Sequence, residues 1–140
     1  MTEASDDLTF DPHGDGRTLE ELLPDLRQVQ LYMIRMDMIE PVASPIDFLL
    51  PHLREHALWL RHQERTGALF MSGPNRCDEE WDGSGTAIIR AESLADARRI
   101  AETEPFHTKG LRVNTAHGWQ LSEGALRLNI NLFDNRFEIG

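Results

Sequence analysis

Six histidines, His13, His52, His56, His62, His107 and His117, are the side chains of this 140-residue sequence best suited to proton transfer or metal binding. Imidazole changes charge closest to neutral pH, so it can both take and give a proton there. His56 lies one helical turn from Trp59 and Leu60, at the apolar margin of a helical segment. A carboxylate beside that ring would fix its tautomer and support its imidazolium form. Glu104, directly before Pro105-Phe106, is the candidate. Spacing alone leaves a second reading open, in which His56 is a satisfied core histidine and Glu104 merely ends a helix. His52 and His56 also share the i,i+4 spacing of a helical zinc pair, with Glu55 or Glu104 as a conceivable third ligand. No HExxH pattern, cysteine pair or clear third ligand supports that alternative, so no metal is expected.

Other residues could assist. Ser72-Gly73-Pro74 ends a strand, and glycine lets a ligand approach the backbone, whose N–H groups could hold a developing oxyanion. An ordinary turn is the alternative. No G-x-S-x-G surrounds Ser72, and no phosphate-binding loop or dinucleotide fingerprint occurs, so no cofactor is expected. Trp81, in the acidic loop from Cys77 to Gly85, reads as a lid or as a ring folded back onto the core. Cys77 has no helix start or base beside it to lower its pKa and is given no role as a nucleophile. Arg35 and Asp37 fall on the strand face opposite Ile34 and Met36, where they line a cavity or form a solvated ion pair.

Positioning these groups requires a scaffold, and the hydrophobic pattern supplies one. Leu31 to Met38 alternates as a strand until Glu40-Pro41 and Ser44-Pro45 break it. A helical stretch follows from about Asp47 or Pro51 to Thr66. Its regular part is expected to start at Pro51, with Leu53, Ala57 and Leu60 as its apolar stripe and Gly67 as its stop. Ala68–Ser72 and Thr86–Ala91 read as strands. Ser93 opens a second helix, with Leu94, Ala97, Ile100 and Ala101 as its stripe, ending by Glu104-Pro105. Leu111 to Leu121 alternates as a fourth strand. The order is β-α-β-β-α-β, a ferredoxin-like α+β arrangement with two helices on one face of a four-stranded antiparallel sheet. The other face also needs cover, which a second copy of the chain would supply.

Three segments follow: an acidic arm with a short helix over 1–30, the ferredoxin-like domain over 31–121, and a C-terminal hairpin extension over 122–140. Thr18-Leu-Glu-Glu21 has the form of a capping box, with Pro24 limiting the helix it opens. In the tail, Asp134-Asn135 reads as a two-residue turn that pairs Leu132 with Phe137 and Ile130 with Ile139.

Net charge is −10, from 24 acidic and 14 basic residues. Eight of those acids lie in residues 1–30 against only Arg17 and Arg27. A nucleic-acid partner or an anionic membrane surface is therefore not expected, since both need a basic face. A small molecule or another protein is left. No apolar run is long enough to span a bilayer, no secretory signal is recognisable, and the single cysteine cannot form an internal disulfide. A reducing cytoplasm is the simplest expectation.

The stretch from His56 through Gly67 to Ser72-Gly73-Pro74 resembles the YCII-related family, in which a helix histidine precedes a glycine and a strand ending in small-Gly-Pro. Ser93-Leu-Ala-Asp-Ala-Arg98 and Glu104-Pro105-Phe106 with Gly110 are similar to that family's second helix and acid-Pro-aromatic motif. Leu31 to Asp37 resembles its opening strand, and that of muconolactone isomerases. The resemblance spans residues 31–121. It implies a dimeric α+β barrel with a cleft between helices and sheet, and a histidine–carboxylate dyad at His56 and Glu104, where glutamate stands for the usual aspartate. It also implies relatives that isomerise or dehalogenate muconolactones by moving a proton next to a carbonyl.

The functional expectation is a cofactor-independent isomerase or lyase, of dehalogenase type, acting on a lactone or an unsaturated carboxylated ring-cleavage product. His56 and Glu104 are its catalytic pair. Arg35 is expected to hold a substrate carboxylate, Ser72 and Gly73 an oxygen, and Trp59, Phe106 and Trp81 to contact the substrate. The alternative is a non-catalytic ligand-binding or interaction protein of the same fold.

Overall fold

The computed structural model describes residues 9–22, 28–131 and 136–139. Four strands form one antiparallel sheet: β1 (Val29–Met38), β2 (Leu69–Pro74), β3 (Gly85–Ile89) and β4 (Arg112–Leu121), in the order β2-β3-β1-β4. Strand β1 lies in the interior because both its edges are used. It pairs with β3 through Ile34↔Ala87 and with β4 through Ile34↔Ala116. This is the ferredoxin-like α+β arrangement expected from the element order.

The helices follow from local signals. Ser44 caps α2 (Pro45–Leu49) by accepting from the Asp47 N–H, and Pro45 occupies its first turn. The chain then tightens into a 3-10 turn, Leu50–His52, and continues as α3 (Leu53–Arg65). The expected start of the regular helix at Pro51 is thus corrected. Helix begins earlier, at Pro45, and Pro51 interrupts it, because proline has no N–H for the i−4 bond and its ring crowds the preceding turn. The apolar stripe of α3 is also rotated from the one expected. Trp59 and Gln63 are buried, whereas Ala57 and Leu53 are exposed. Leu53 and Leu60 face a cavity rather than solid packing.

Helix α4 (Leu94–Glu102) is capped by Ser93, and its Ala97 and Ala101 lie flat on the sheet. It ends by Glu104-Pro105, as expected. Glu104 also caps the next helix, α5 (Pro105–Thr108), by accepting from the Phe106 and His107 N–H groups. The Thr18 capping box forms as read, with reciprocal bonds between Thr18 and Glu21 at the start of α1 (Leu19–Leu22). Pro24 lies outside the described residues.

The core sits on the helix-covered face of the sheet, where Tyr32, Ile34, Met36, Ala87, Ile89 and Ala116 pack with Ala97 and Ala101. The opposite face carries Met33, Arg35, Ile88, Val113, Thr115 and His117; Arg35, Val113, Thr115 and His117 are exposed there, whereas Leu31, on the same face, is buried. Strand β2 runs on through Gly73-Pro74, which are not a closing turn; an edge strand tolerates the missing proline N–H. Strands β5 (Leu128–Asn131) and β6 (Arg136–Ile139) form a separate hairpin. Its register pairs Ile130 with Phe137 and Leu128 with Ile139, a correction of two residues to the expected pairing. A slip of two leaves each residue on its original side of the ladder. Leu132 and Asp134-Asn135 lie outside the described residues. Among the described residues no helix is long and apolar enough to cross a membrane.

Candidate active site

The helix α3 and the cap of α5 meet at one contact. His56 Nδ1 lies 2.6 Å from Glu104 Oε1. The Glu104 side chain is wholly buried, and that of His56 is 13% exposed. Glu104 receives four donors. His56 and the Phe106 N–H reach Oε1, while the His107 N–H and Asn114 Nδ2 reach Oε2. A carboxylate offers about four lone-pair positions, and every one is occupied here, so no position remains for a proton of its own. Burial alone would raise the Glu104 pKa. The hydrogen bonds from His56, the Phe106 backbone and Asn114 outweigh it and hold the group below its usual value. An ionised Glu104 makes Nδ1 the protonated ring nitrogen of a neutral His56. Nε2 is left as its basic site, with no hydrogen-bond partner among the described residues.

Rings fix the imidazole in place. Phe106 stacks on it with centroids 4.5 Å apart and planes 13° apart, and Trp59 stacks more loosely at 6.5 Å. Trp59 Nε1 donates to Thr103 Oγ1 at 2.9 Å, tying α3 to the end of α4. The pair therefore joins two helices through contacts that leave the ring few orientations.

A cavity of about 410 Å³ opens beside His56. Leu49, Leu53 and Leu60 line its helical side, Met36 and Phe106 its floor, and Ser72, Gly73 and Trp81 its far side. Ser72 pairs opposite Ala87, which puts it on the helix side of the sheet. Trp81 is half-buried, and its Nε1 donates to the Ser84 carbonyl at 2.9 Å, so the ring forms a wall of the cavity. A second, wider groove of about 650 Å³ runs along the Trp59 side of α3, among His62, Arg90, Glu92, Asp96 and Arg99. Trp59 lines that groove and not the His56 cavity, so it braces the imidazole rather than touching a ligand there.

Arg35 is not brought to the site. It pairs opposite Thr86 and Thr115 on the sheet face away from the helices, is 56% exposed, and makes a loose ion pair with Asp37 at 3.4 Å. The strand period sends Arg35 away from the helices that Ile34 and Met36 face. The carboxylate-holding role expected of it is therefore corrected. The His52–His56 metal pair is not assembled either. Lys109 Nζ lies 3.1 Å from His52 Nδ1 and 2.7 Å from Glu55, placing a cation between those groups. Among the described residues no three His, Cys, Asp or Glu side chains cluster as metal ligands. Cys77 is exposed.

Two site residues escaped the sequence reading. Arg112 is only 4% exposed and lines the cavity. Its Nε and Nη2 donate to the Gly83 carbonyl at 2.9 and 2.5 Å, and its guanidinium lies 4.8 Å from the Phe106 ring centroid. Gly83 has φ of 90°, and a Cβ there would meet Met38 at 2.7 Å, so only glycine presents this carbonyl. Asn114 ties Glu104 to the Ala101 carbonyl. The missed signal is parity. Reading β4 along Leu111, Val113 and Thr115 ignored the alternate set, Arg112, Asn114 and Ala116, which lies under the helices.

A buried, ionised carboxylate orienting a histidine in an apolar cleft of a ferredoxin-like domain defines a class of acid–base sites. The YCII-related domain matches residues 31–116, and the chain belongs to that family. Among solved structures, the 5-chloro-2-hydroxyhydroquinone dehydrochlorinase of Burkholderia phenoliruptrix, in complex with 2,5-dihydroxybenzoquinone, is similar at 18% identity with a TM-score of 0.49. That similarity covers 64% of this chain and 92% of the other. No curated protein matches the chain.

Proposed function

We propose that this chain is a small-molecule enzyme that moves a proton next to a carbonyl, with His56 as general acid–base and Glu104 as the residue that positions it. The reading rests on one observation above all: a fully buried carboxylate, saturated by four donors, fixes the His56 tautomer beside a cavity. In the reaction, Nε2 takes a proton from carbon, and the electron pair moves onto the carbonyl oxygen as an enolate. His56 then returns the proton to a different carbon, as an isomerase does, or the enolate expels a leaving group, as a lyase or dehalogenase does. The β2 backbone at Ser72-Gly73 is the proposed hold for the enolate oxygen. The apolar walls exclude water and suit a lactone or unsaturated ring-cleavage product. Neither metal nor cofactor is required by these steps.

A second copy is proposed on the sheet face away from the helices. Met71 and Val113 there are 52% and 42% exposed, which supports a covering partner. His56→Ala is expected to lower turnover of a matched lactone or enol substrate by roughly 10²-fold or more. Unchanged turnover removes His56 from the mechanism.

A further inference from the structure

Among the described residues, Arg112 is a buried cation without a carboxylate in salt-bridge contact, and the hydrogen-bond acceptor it has there is the neutral Gly83 carbonyl. Asp82, Asp37 and Glu104 stabilise its charge at a distance, while burial works against it. The Phe106 ring at 4.8 Å and the Trp81 ring at 6.0 Å offset part of that cost through their π faces. A buried guanidinium is otherwise matched by an anion, because leaving it unpaired forfeits its hydration without an equal return. The turn that carries Gly83 is itself built to hold it. Asp82 accepts from both the Ser84 N–H and its hydroxyl, which fixes the carbonyl between them. Nε and Nη2 are spent on that carbonyl, and no described residue accepts from Nη1. Arg112 lines the cavity that His56 also lines, and Phe106 touches both side chains. Arg76 lines the same cavity from an exposed position, its guanidinium 6.0 Å from the Trp81 ring.

We propose that the cavity takes a small carboxylate with an apolar body, and that Arg112 binds its anionic oxygen through the free side of the guanidinium. This rests on the reading of the cavity as the ligand site, and gives Arg112 the role that Arg35 cannot fill. The anion pairs directly with a guanidinium that Glu104, Asp82 and Asp37 reach only at a distance, and its apolar body lies among Leu49, Leu53, Leu60 and Phe106. Arg112 then decides which substrates are accepted: acids over their neutral amides and esters. On a chain of net charge −10, the two arginines also provide the local positive field that an anion needs on approach.

The test uses benzoate and its neutral isostere benzamide as probes of the full chain, followed by tryptophan fluorescence and by amide chemical shifts around Trp81. Benzoate is expected to bind about tenfold more tightly than benzamide or better, as a charge-assisted hydrogen bond would give. Arg112→Gln is expected to abolish the difference while leaving benzamide binding in place. Arg112→Lys is expected to keep part of it, and decides the matter if the glutamine variant fails to fold. Equal affinity in the unmodified chain, no benzoate binding at millimolar concentration, or a preference that survives Arg112→Gln overturns the proposal. His56→Ala separates the two readings. If benzoate preference holds but His56→Ala leaves turnover intact, the proton-transfer reading fails and the anion site stands.

Discussion

The two faces of the sheet are built from the same strands and differ in what they bury. On the helix-covered face, Tyr32, Ile34, Met36, Ala87 and Ile89 give way at one end to Arg112 and Asn114, polar side chains 4% and 6% exposed. On the opposite face, beyond the buried Leu31, the polarity is inverted. Arg35, Thr115 and His117 stay exposed, and apolar Met71 and Val113 are exposed with them. Burying polar groups costs stability unless each is satisfied, so polar residues inside a core mark a place shaped by something other than stability. Apolar residues left outside mark a surface that awaits cover. Alternation along a strand therefore separates the site from the opposite face with one residue of resolution. That is why Arg35 and Arg112, both strand arginines, have opposite fates.

The sharpest way to break this comparison is to remove the centre of the covered face. Glu104→Ala leaves two backbone N–H groups, Asn114 and His56 without their acceptor, and is expected to cost ~3–5 kcal/mol in urea unfolding. Because the folded pKa of Glu104 lies below its unfolded value, its contribution is complete above the usual glutamate range. It is lost as pH falls through the lowered folded value. Glu104→Gln should accordingly flatten the acid limb of the stability curve, and an unchanged acid limb would show that the carboxylate is not ionised. Gly83→Ala comes next, at ~1–3 kcal/mol, from strain at positive φ and the clash with Met38. Stability equal to the parent chain would mean that the turn relaxes freely. The smallest effect on folding belongs to the other face. Val113→Lys is expected to change the stability of the folded chain by no more than about 0.5 kcal/mol. The same change should lower the mass in solution from that of a dimer toward 16.0 kDa. A parent mass already at 16.0 kDa at micromolar concentration removes the second copy.

Much of this was legible in the residues themselves. The alternation of Tyr32, Ile34 and Met36 and the Ser93 cap are enough for the element order, whereas the His56–Glu104 pair is open on spacing alone and follows only from the family resemblance. The short helix α5 that Glu104 caps carries no periodicity of its own, because it is one turn long. Pro51 was read as a helix start because a first-turn proline and a proline within a 3-10 turn look alike in sequence. Trp59 and Trp81 look alike in sequence as ligand contacts. Only the Trp59 bond to Thr103 and the Trp81 bond to the Ser84 carbonyl distinguish a brace from a wall. The Gly83 carbonyl had no sequence signal beyond the glycine, since its partner Arg112 is 29 residues away.

The central claim is that an ionised Glu104 holds His56 with its proton on Nδ1 and its basic nitrogen free. Nitrogen-15 NMR of the imidazole in its neutral form tests this directly. The account predicts an Nδ1–H tautomer in the parent chain, weakened or lost in Glu104→Gln. An Nε2–H tautomer in the parent chain, unaffected by Glu104→Gln, would contradict it.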